Sequence, residues 1–333
     1  MTAARDHITV LDGWRGASIL LVLAGHLFPL GPKIVRMNET IAAMGMVLFF
    51  ILSGFLITSF LLKQPSVGSF LIRRIFRIVP LAWAASVLML SLKGADIEKW
   101  SAHIFFYLNL PPFLALNETA HLWSLSMEVQ FYLAIALLVG ALGKRSLSLL
   151  PVFCVMVTVA RVIWHEEISI VTWFRIDEIL AGCMLALLAD RYGRVFPATR
   201  WGAVLPVVLA LALLASCSPY GGAINYLRPY LAAALIGSTL FMPRSWLARA
   251  LDNRVLVYLA AVSYAVYVLH PLLASTWLGS GDTFVKYAKR PLLMAALFLL
   301  AHVSTRYFES RFIEAGRSLA NRWTGGRKQE AAP

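Results

Sequence analysis

Charge is scarce in this sequence. Asp, Glu, Lys and Arg make up 14% of its 333 residues, against about a quarter in an average soluble domain. With 59% hydrophobic residues, a water-soluble fold of this length would lack the polar surface to cover itself. Cysteine is nearly missing too. Cys154, Cys183 and Cys217 lie in or beside apolar runs, and no two have metal-ligand spacing. They read as small buried hydrophobes, with no disulfide framework. No HExxH, CxxC or glycine-rich phosphate loop occurs, so metal and nucleotide hydrolysis have no motif and no metal site is expected. No internal repeat is visible, which counts against a transporter built from inverted halves.

What abounds is long apolar runs. A bilayer-spanning helix takes roughly 20 mostly apolar residues. On that ruler helices are expected near 9–29, 40–62, 77–93, 124–142, 147–164, 170–189, 201–218, 224–242, 255–277 and 290–309. The expected fold class is all-α, a polytopic membrane helix bundle of about ten transmembrane helices over residues 1–315. A basic cytoplasmic tail, 316–333, is expected to be disordered. The first run carries Asp12, Arg15 and His26 without a small-residue cleavage site after it, so it is expected to remain as a helix and not leave as a signal peptide. The stretch 100–115 is apolar but short and ends in Pro111-Pro112; it reads as interfacial or re-entrant.

The formal net charge is +13. The basic residues sit in short loops between apolar runs, a membrane pattern and not a nucleic-acid surface. With ten spans, eighteen basic residues fall on the side of both termini and nine on the other, Arg161 and Arg228 among the nine. That bias makes the termini cytoplasmic.

An ionisable group at mid-bilayer costs at least ~2.5–3.5 kcal/mol, so each is a candidate for function. In the first helix, Arg15 and His26 are eleven residues apart, which is three turns plus ~20°, roughly 16 Å along the axis. Asp12 joins the same stripe. Glu128 lies about one turn inside the fourth span, at a depth matching His26, and the two are expected to form an acid–base pair. His121 and Ser124 bring hydrogen-bonding groups to that helix start, and Trp123 an interfacial ring. Arg73 and Arg77, in the loop after the second helix, are i,i+4 and share a face if helical. Ordinary cytoplasmic charge accounts for them, and so does a phosphate-bearing cofactor such as coenzyme A. Arg175 and Glu178, spaced i,i+3, are expected to neutralise each other, leaving Asp177 without a local partner. Arg306 and Glu309 share that spacing. His270 precedes Pro271 and serves either packing or a site, His302 reads as a core histidine, and His7, His103 and His165 read as loop residues.

These residues match a known pattern. Arg15, ten residues and His26 stand within Leu-Asp-Gly-Trp-Arg-Gly; Ser-Gly-Phe-Leu-Ile follows at Ser53–Ile57; then come Arg73, Arg74, Arg77 and Pro80, and Trp-Ser-Leu-x-x-Glu-x-Gln-Phe-Tyr at Trp123–Tyr132. Weaker matches lie at Arg175–Gly182, Ser263–Tyr267 with His270-Pro271, and Phe308-Glu309, where the usual following Pro is missing. The chain resembles the acyltransferase-3 family of membrane O-acyltransferases. The resemblance implies transfer of an acyl group, acetyl first, from cytoplasmic acyl-CoA to a hydroxyl of an extracytoplasmic glycan, in the cytoplasmic (inner) membrane of a bacterium. Surface polysaccharide or lipopolysaccharide is the first expected acceptor; a lipid-linked saccharide, a lipid or a small molecule is the alternative. His26 would act as base or acyl carrier, with Glu128, Arg15 and Asp12 beside it. Arg73, Arg74 and Arg77, helped by Arg15, would hold the donor. His121, Trp123, Ser124, Tyr132, Arg175, Asp177 and His270 would bind substrate. No tightly bound cofactor is implied. The rival from another class is a proton-coupled transporter, for which buried His, Glu, Asp and Arg are equally suited.

Overall fold

The computed structural model describes residues 9–64, 66–193 and 204–330. Arg5, His7, Arg194, Arg200 and the start of the expected 201–218 helix lie outside them. Among the described residues every regular element is helical. In chain order these are α1 (Thr9–Leu27), α2 (Met37–Lys63), α3 (Val67–Leu92), α4 (Ile97–Ile104), α5 (Trp123–Leu142), α6 (Leu150–Ile163), α7 (Asp177–Tyr192), α8 (Leu205–Cys217), α9 (Arg228–Phe241), α10 (Trp246–Leu251), α11 (Arg254–Ala274), α12 (Thr283–Ala288), α13 (Arg290–Val303) and α14 (Ser310–Glu330). A π-helical turn, Ser304–Glu309, joins α13 to α14.

All ten expected runs contain a helix. Among the described residues, six helical stretches are long and apolar enough to cross a membrane, or seven if α8 and α9, bent by 119° at their junction, form one broken span. The helices α1 and α7 are shorter or more polar. Residue Arg175 leaves helical geometry at φ −139°, after the 3-10 turn Thr172–Phe174, so α7 starts at Asp177 and not near 170. The third helix starts ten residues earlier than expected. Ser66 caps it by accepting from the Ser69 N–H, and it runs unbroken through Arg73, Arg74 and Arg77. The arginine-rich segment is therefore helix, not loop.

The chain divides into two compact units. The first holds Met1–Leu56, Arg161–Glu167 and Asp177–Tyr264; the second holds Ile57–Ala160, Ile168–Ile176 and Ala265–Pro333. In the first, α2 and α7 cross at glycines. A Cβ on Gly54 would stand 1.9 Å from the Ile179 carbonyl oxygen, and one on Gly182 would stand 2.1 Å from that of Ile51. Only hydrogen fits at either place, which explains Ser-Gly at 53–54. Gly13 likewise brings α1 onto Leu251 of α10. All three cysteines are buried and free.

In the second unit α14 lies along α3. Trp323 covers Gly68, Gly316 faces Phe76, and Arg73 Nη2 donates to Asn321 Oδ1 at 2.8 Å. The sequence leads to the expectation of a disordered tail from residue 316; in the structure this packing holds residues 316–324 in helix. The ring Gln130–Asn109–Thr172 ties α5 to two loops. Gln130 Nε2 donates to Asn109 Oδ1 at 3.0 Å, Asn109 Nδ2 to Thr172 Oγ1 at 2.8 Å, and Thr172 Oγ1 to Gln130 Oε1.

Candidate active site

On α1, Asp12 and Arg15 are half-buried and His26 is exposed. Ile19, Val22 and Leu23 fall between them on the same face and are 1–3% exposed. The polar stripe therefore faces protein along its middle and opens at its C-terminal end, at His26. The Arg15 guanidinium stands 5.6 Å from the centre of the Phe49 ring, a cation–π distance. Trp14 Nε1 donates to Thr239 Oγ1 at 2.8 Å and fixes the helix's rotation. Asn38 closes the C-terminal end of α1: its Nδ2 donates to the carbonyls of Gly25 (2.7 Å) and Phe28 (2.6 Å), and its Oδ1 accepts from Leu30 N–H. These bonds hold the last turn that carries His26, where carbonyls otherwise lack partners.

The same unit contains a buried ion cluster. Arg161 Nη1 donates to Asp177 Oδ2 at 2.6 Å, and Arg228 Nε to Glu178 Oε1 at 2.8 Å; all four side chains are at most 1% exposed. Arg161 also donates to the carbonyls of Glu166 and Glu167 and stands 5.5 Å from the Tyr226 ring centre. Two expectations are corrected. Asp177 does have a partner, and Glu178 pairs with Arg228, since Arg175 lies outside the helix that an i,i+3 pair requires. Arg161 and Arg228, counted among the nine basic residues of the second side, are buried in these pairs and do not contribute loop charge.

In the second unit three expected residues, His121, Ser124 and His270, converge on Tyr267. His121, His270 and Tyr267 pack ring against ring, at 5.3–5.8 Å between centres. Ser124 Oγ donates to the Tyr267 hydroxyl at 2.6 Å, which donates to the His121 carbonyl. His270 Nδ1 donates to the Tyr267 carbonyl at 2.8 Å, so in the neutral ring Nε2 carries the lone pair. Tyr267 was visible only as part of the weaker match at 263–267. The Arg175 guanidinium stacks 4.8 Å from the Trp123 ring centre and donates to the Ser169 carbonyl at 2.9 Å.

Glu128 is buried, and its Oε1 accepts from the Tyr132 hydroxyl at 2.6 Å. The Tyr132 ring in turn faces the Arg74 guanidinium at 5.6 Å. The expected acid–base pair is divided between units, with His26 in the first and Glu128 in the second. Arg73, Arg74 and Arg77 are all half-buried and fall within about 100° of arc on α3. Glu309, on the π-helical turn, accepts from Ser304 (3.3 Å) and Thr305 (2.9 Å). His302 is exposed and not a core histidine. His103, read as a loop residue, is buried on α4 between the Lys99 carbonyl and Thr119 Oγ1, each at 2.7 Å.

The model of the acyltransferase-3 domain matches residues 8–305. The chain belongs to the acyltransferase-3 family. Among similar proteins, the peptidoglycan O-acetyltransferase OatA of Listeria monocytogenes is 26% identical over 92% of this chain and 56% of its own length. The provisionally named peptidoglycan O-acetyltransferase YrhL of Bacillus subtilis is 27% identical over 81% and 49%. The provisionally named O-acetyltransferase SACOL0978 of Staphylococcus aureus is 25% identical over 95% and 59%. The chain thus spans about half to three-fifths of these relatives. No solved structure matches. Where these names state an acceptor it is peptidoglycan, whereas the resemblance placed surface polysaccharide or lipopolysaccharide first. Within the acyltransferase-3 domain, the glycines and Trp14 of the first motifs act in packing, while Arg15 and His26 occupy the stripe.

Proposed function

We propose that this acyltransferase-3 chain is a membrane O-acetyltransferase that moves an acetyl group from cytoplasmic acetyl-CoA to a hydroxyl of an extracytoplasmic glycan. The observation that carries this reading is the α1 stripe: Arg15 and His26 on one line that is buried between them and opens at His26, in a chain whose residues 8–305 match an acyltransferase domain. The ten apolar runs are ten spans, and both termini face the cytoplasm. The burial of Arg161 and Arg228 supports that orientation, because it removes two positive charges from the outer loops.

Arg73, Arg74 and Arg77 hold the phosphates of the donor through planar forks. Arg15, on α1 with His26, is a further cationic group for the donor. His26, about 16 Å further along α1, takes the proton of the acceptor hydroxyl as its oxygen attacks the thioester carbonyl. The C–S bond breaks, the CoA thiolate leaves and recovers that proton, and an O-acetyl ester remains. Glu128 holds Tyr132, and through it the Arg74 face. The His121–Ser124–Tyr267–His270 cluster and the Arg175–Trp123 stack offer hydroxyl-binding groups and a flat ring suited to a sugar. The names of the relatives make a cell-wall glycan the first acceptor to test, with other surface glycans next.

The test uses membranes containing the protein, labelled acetyl-CoA, and His26→Ala at matched protein level. The reading requires label in a glycan fraction with wild type and a loss of at least 100-fold in the variant, the order expected for a general base. Equal labelling would remove His26 from the chemistry.

A further inference from the structure

We propose that α14 completes the donor site, with Arg317 joining Arg73, Arg74 and Arg77 to hold the phosphates of acyl-CoA and Asn321 aiming Arg73. The proposal rests on the donor reading above and extends it to a helix beyond residues 8–305, the part that matches the family.

Three observations converge. First, α3 and α14 run antiparallel, with Gly68 against Trp323 and Phe76 against Gly316. Arg77 of α3 and Arg317 of α14 each follow one of the residues in the second contact, so they stand at nearly the same level. Second, Arg73 Nη2 donates to Asn321 Oδ1 at 2.8 Å, and Arg317 precedes Asn321 by one turn on the same side of α14. Third, both helices are longer than the hydrocarbon is thick, which leaves room for their arginine-bearing ends to stand outside it. At 1.5 Å per residue, the 26 residues of α3 and the 35 from Arg290 to Thr324 reach about 39 and 52 Å, against a core of ~30 Å.

Like charges gathered this way repel unless an anion joins them. Glu128 and Glu309 act on Arg77 and Glu314 precedes Arg317 by three residues, but three carboxylates against the four guanidiniums of Arg73, Arg74, Arg77 and Arg317 leave the cluster net positive. Planar guanidinium forks match phosphate oxygens in pairs, and the pyrophosphate and 3′-phosphate of coenzyme A supply several such groups at once. Asn321 acts here as a positioning residue that aims Arg73.

The experiment measures CoA binding by calorimetry and KM for acetyl-CoA on the purified full chain. Arg317→Gln should weaken CoA about tenfold, the loss of one charge-assisted contact, and raise KM for acetyl-CoA with kcat held within about twofold. Asn321→Ala should act in the same direction and Asn321→Gln should partly restore binding. Arg322→Gln, on the opposite side of α14, should leave affinity unchanged. Equal weakening by Arg317→Gln and Arg322→Gln would mean general charge attraction and overturn the proposal. So would CoA affinity that falls with Arg73→Gln but not with Arg317→Gln, although the donor reading would then stand. Absence of CoA binding by wild type would overturn both.

Discussion

Arg161, Asp177, Glu178 and Arg228 lie in a medium where an unpaired charge is costly. Removing one partner of a buried pair typically costs about 3–5 kcal/mol, while replacing both by apolar groups often costs little. Arg161→Met should therefore lower the thermal midpoint of the detergent-solubilised protein sharply, and the double variant Arg161→Met/Asp177→Leu should recover most of the loss. A midpoint unchanged in Arg161→Met would show that the pair is not holding the fold. His103 permits a signed prediction. Burial lowers its pKa below the ordinary imidazole value, a shift the hydrogen bond to the Lys99 carbonyl partly offsets. The unfolded chain then binds the proton more readily, so stability is full above about pH 6.5 and falls as pH drops toward the lowered value. Thermal midpoints measured from pH 7.5 to 5 should fall less steeply in His103→Gln than in wild type. At this scale the α1 stripe was legible because helical period alone places Arg15 and His26 on one line. The ion pairs were not, because their partners stand 16 and 50 residues apart in the chain, and spacing within one helix says nothing about them.

The helices meet where glycine lets backbones approach. Gly54→Ala or Gly182→Ala places a methyl on a carbonyl oxygen, and the α2–α7 contact must open. Gly140→Ala meets nothing within 4 Å and gains helix propensity of ~0.8–1 kcal/mol. Thermal unfolding should show loss in the first two and no loss in the third; a harmless Gly54→Ala would refute the close crossing. Helix existence was legible from apolar runs, and α5 and α13 begin within a residue of expectation. Boundaries were less so where polar residues continue a helix. The arginines of α3 read as a loop and α14 as a tail because both lack apolar runs. Their helical state comes from packing on each other through Gly68, Trp323, Gly316 and Phe76, a tertiary cause.

At the scale of the whole molecule, the proposed chemistry asks for a donor on one side of a membrane and an acceptor on the other. The proposed orientation rests on the charge bias of the loops, and the length of α1 sets the distance from Arg15 to His26. The family and its chemistry were legible from motifs in order along the chain. The contribution proposed for α14 was not, because it lies past the last motif. The most direct measurement uses sealed proteoliposomes with labelled acetyl-CoA on the cytoplasmic face and a glycan acceptor only on the other. The account predicts O-acetylated glycan on the far side with wild type and none with His26→Ala. Acetylation only when donor and acceptor share one side, or delivery of the acetyl donor across the membrane unmodified, would contradict it.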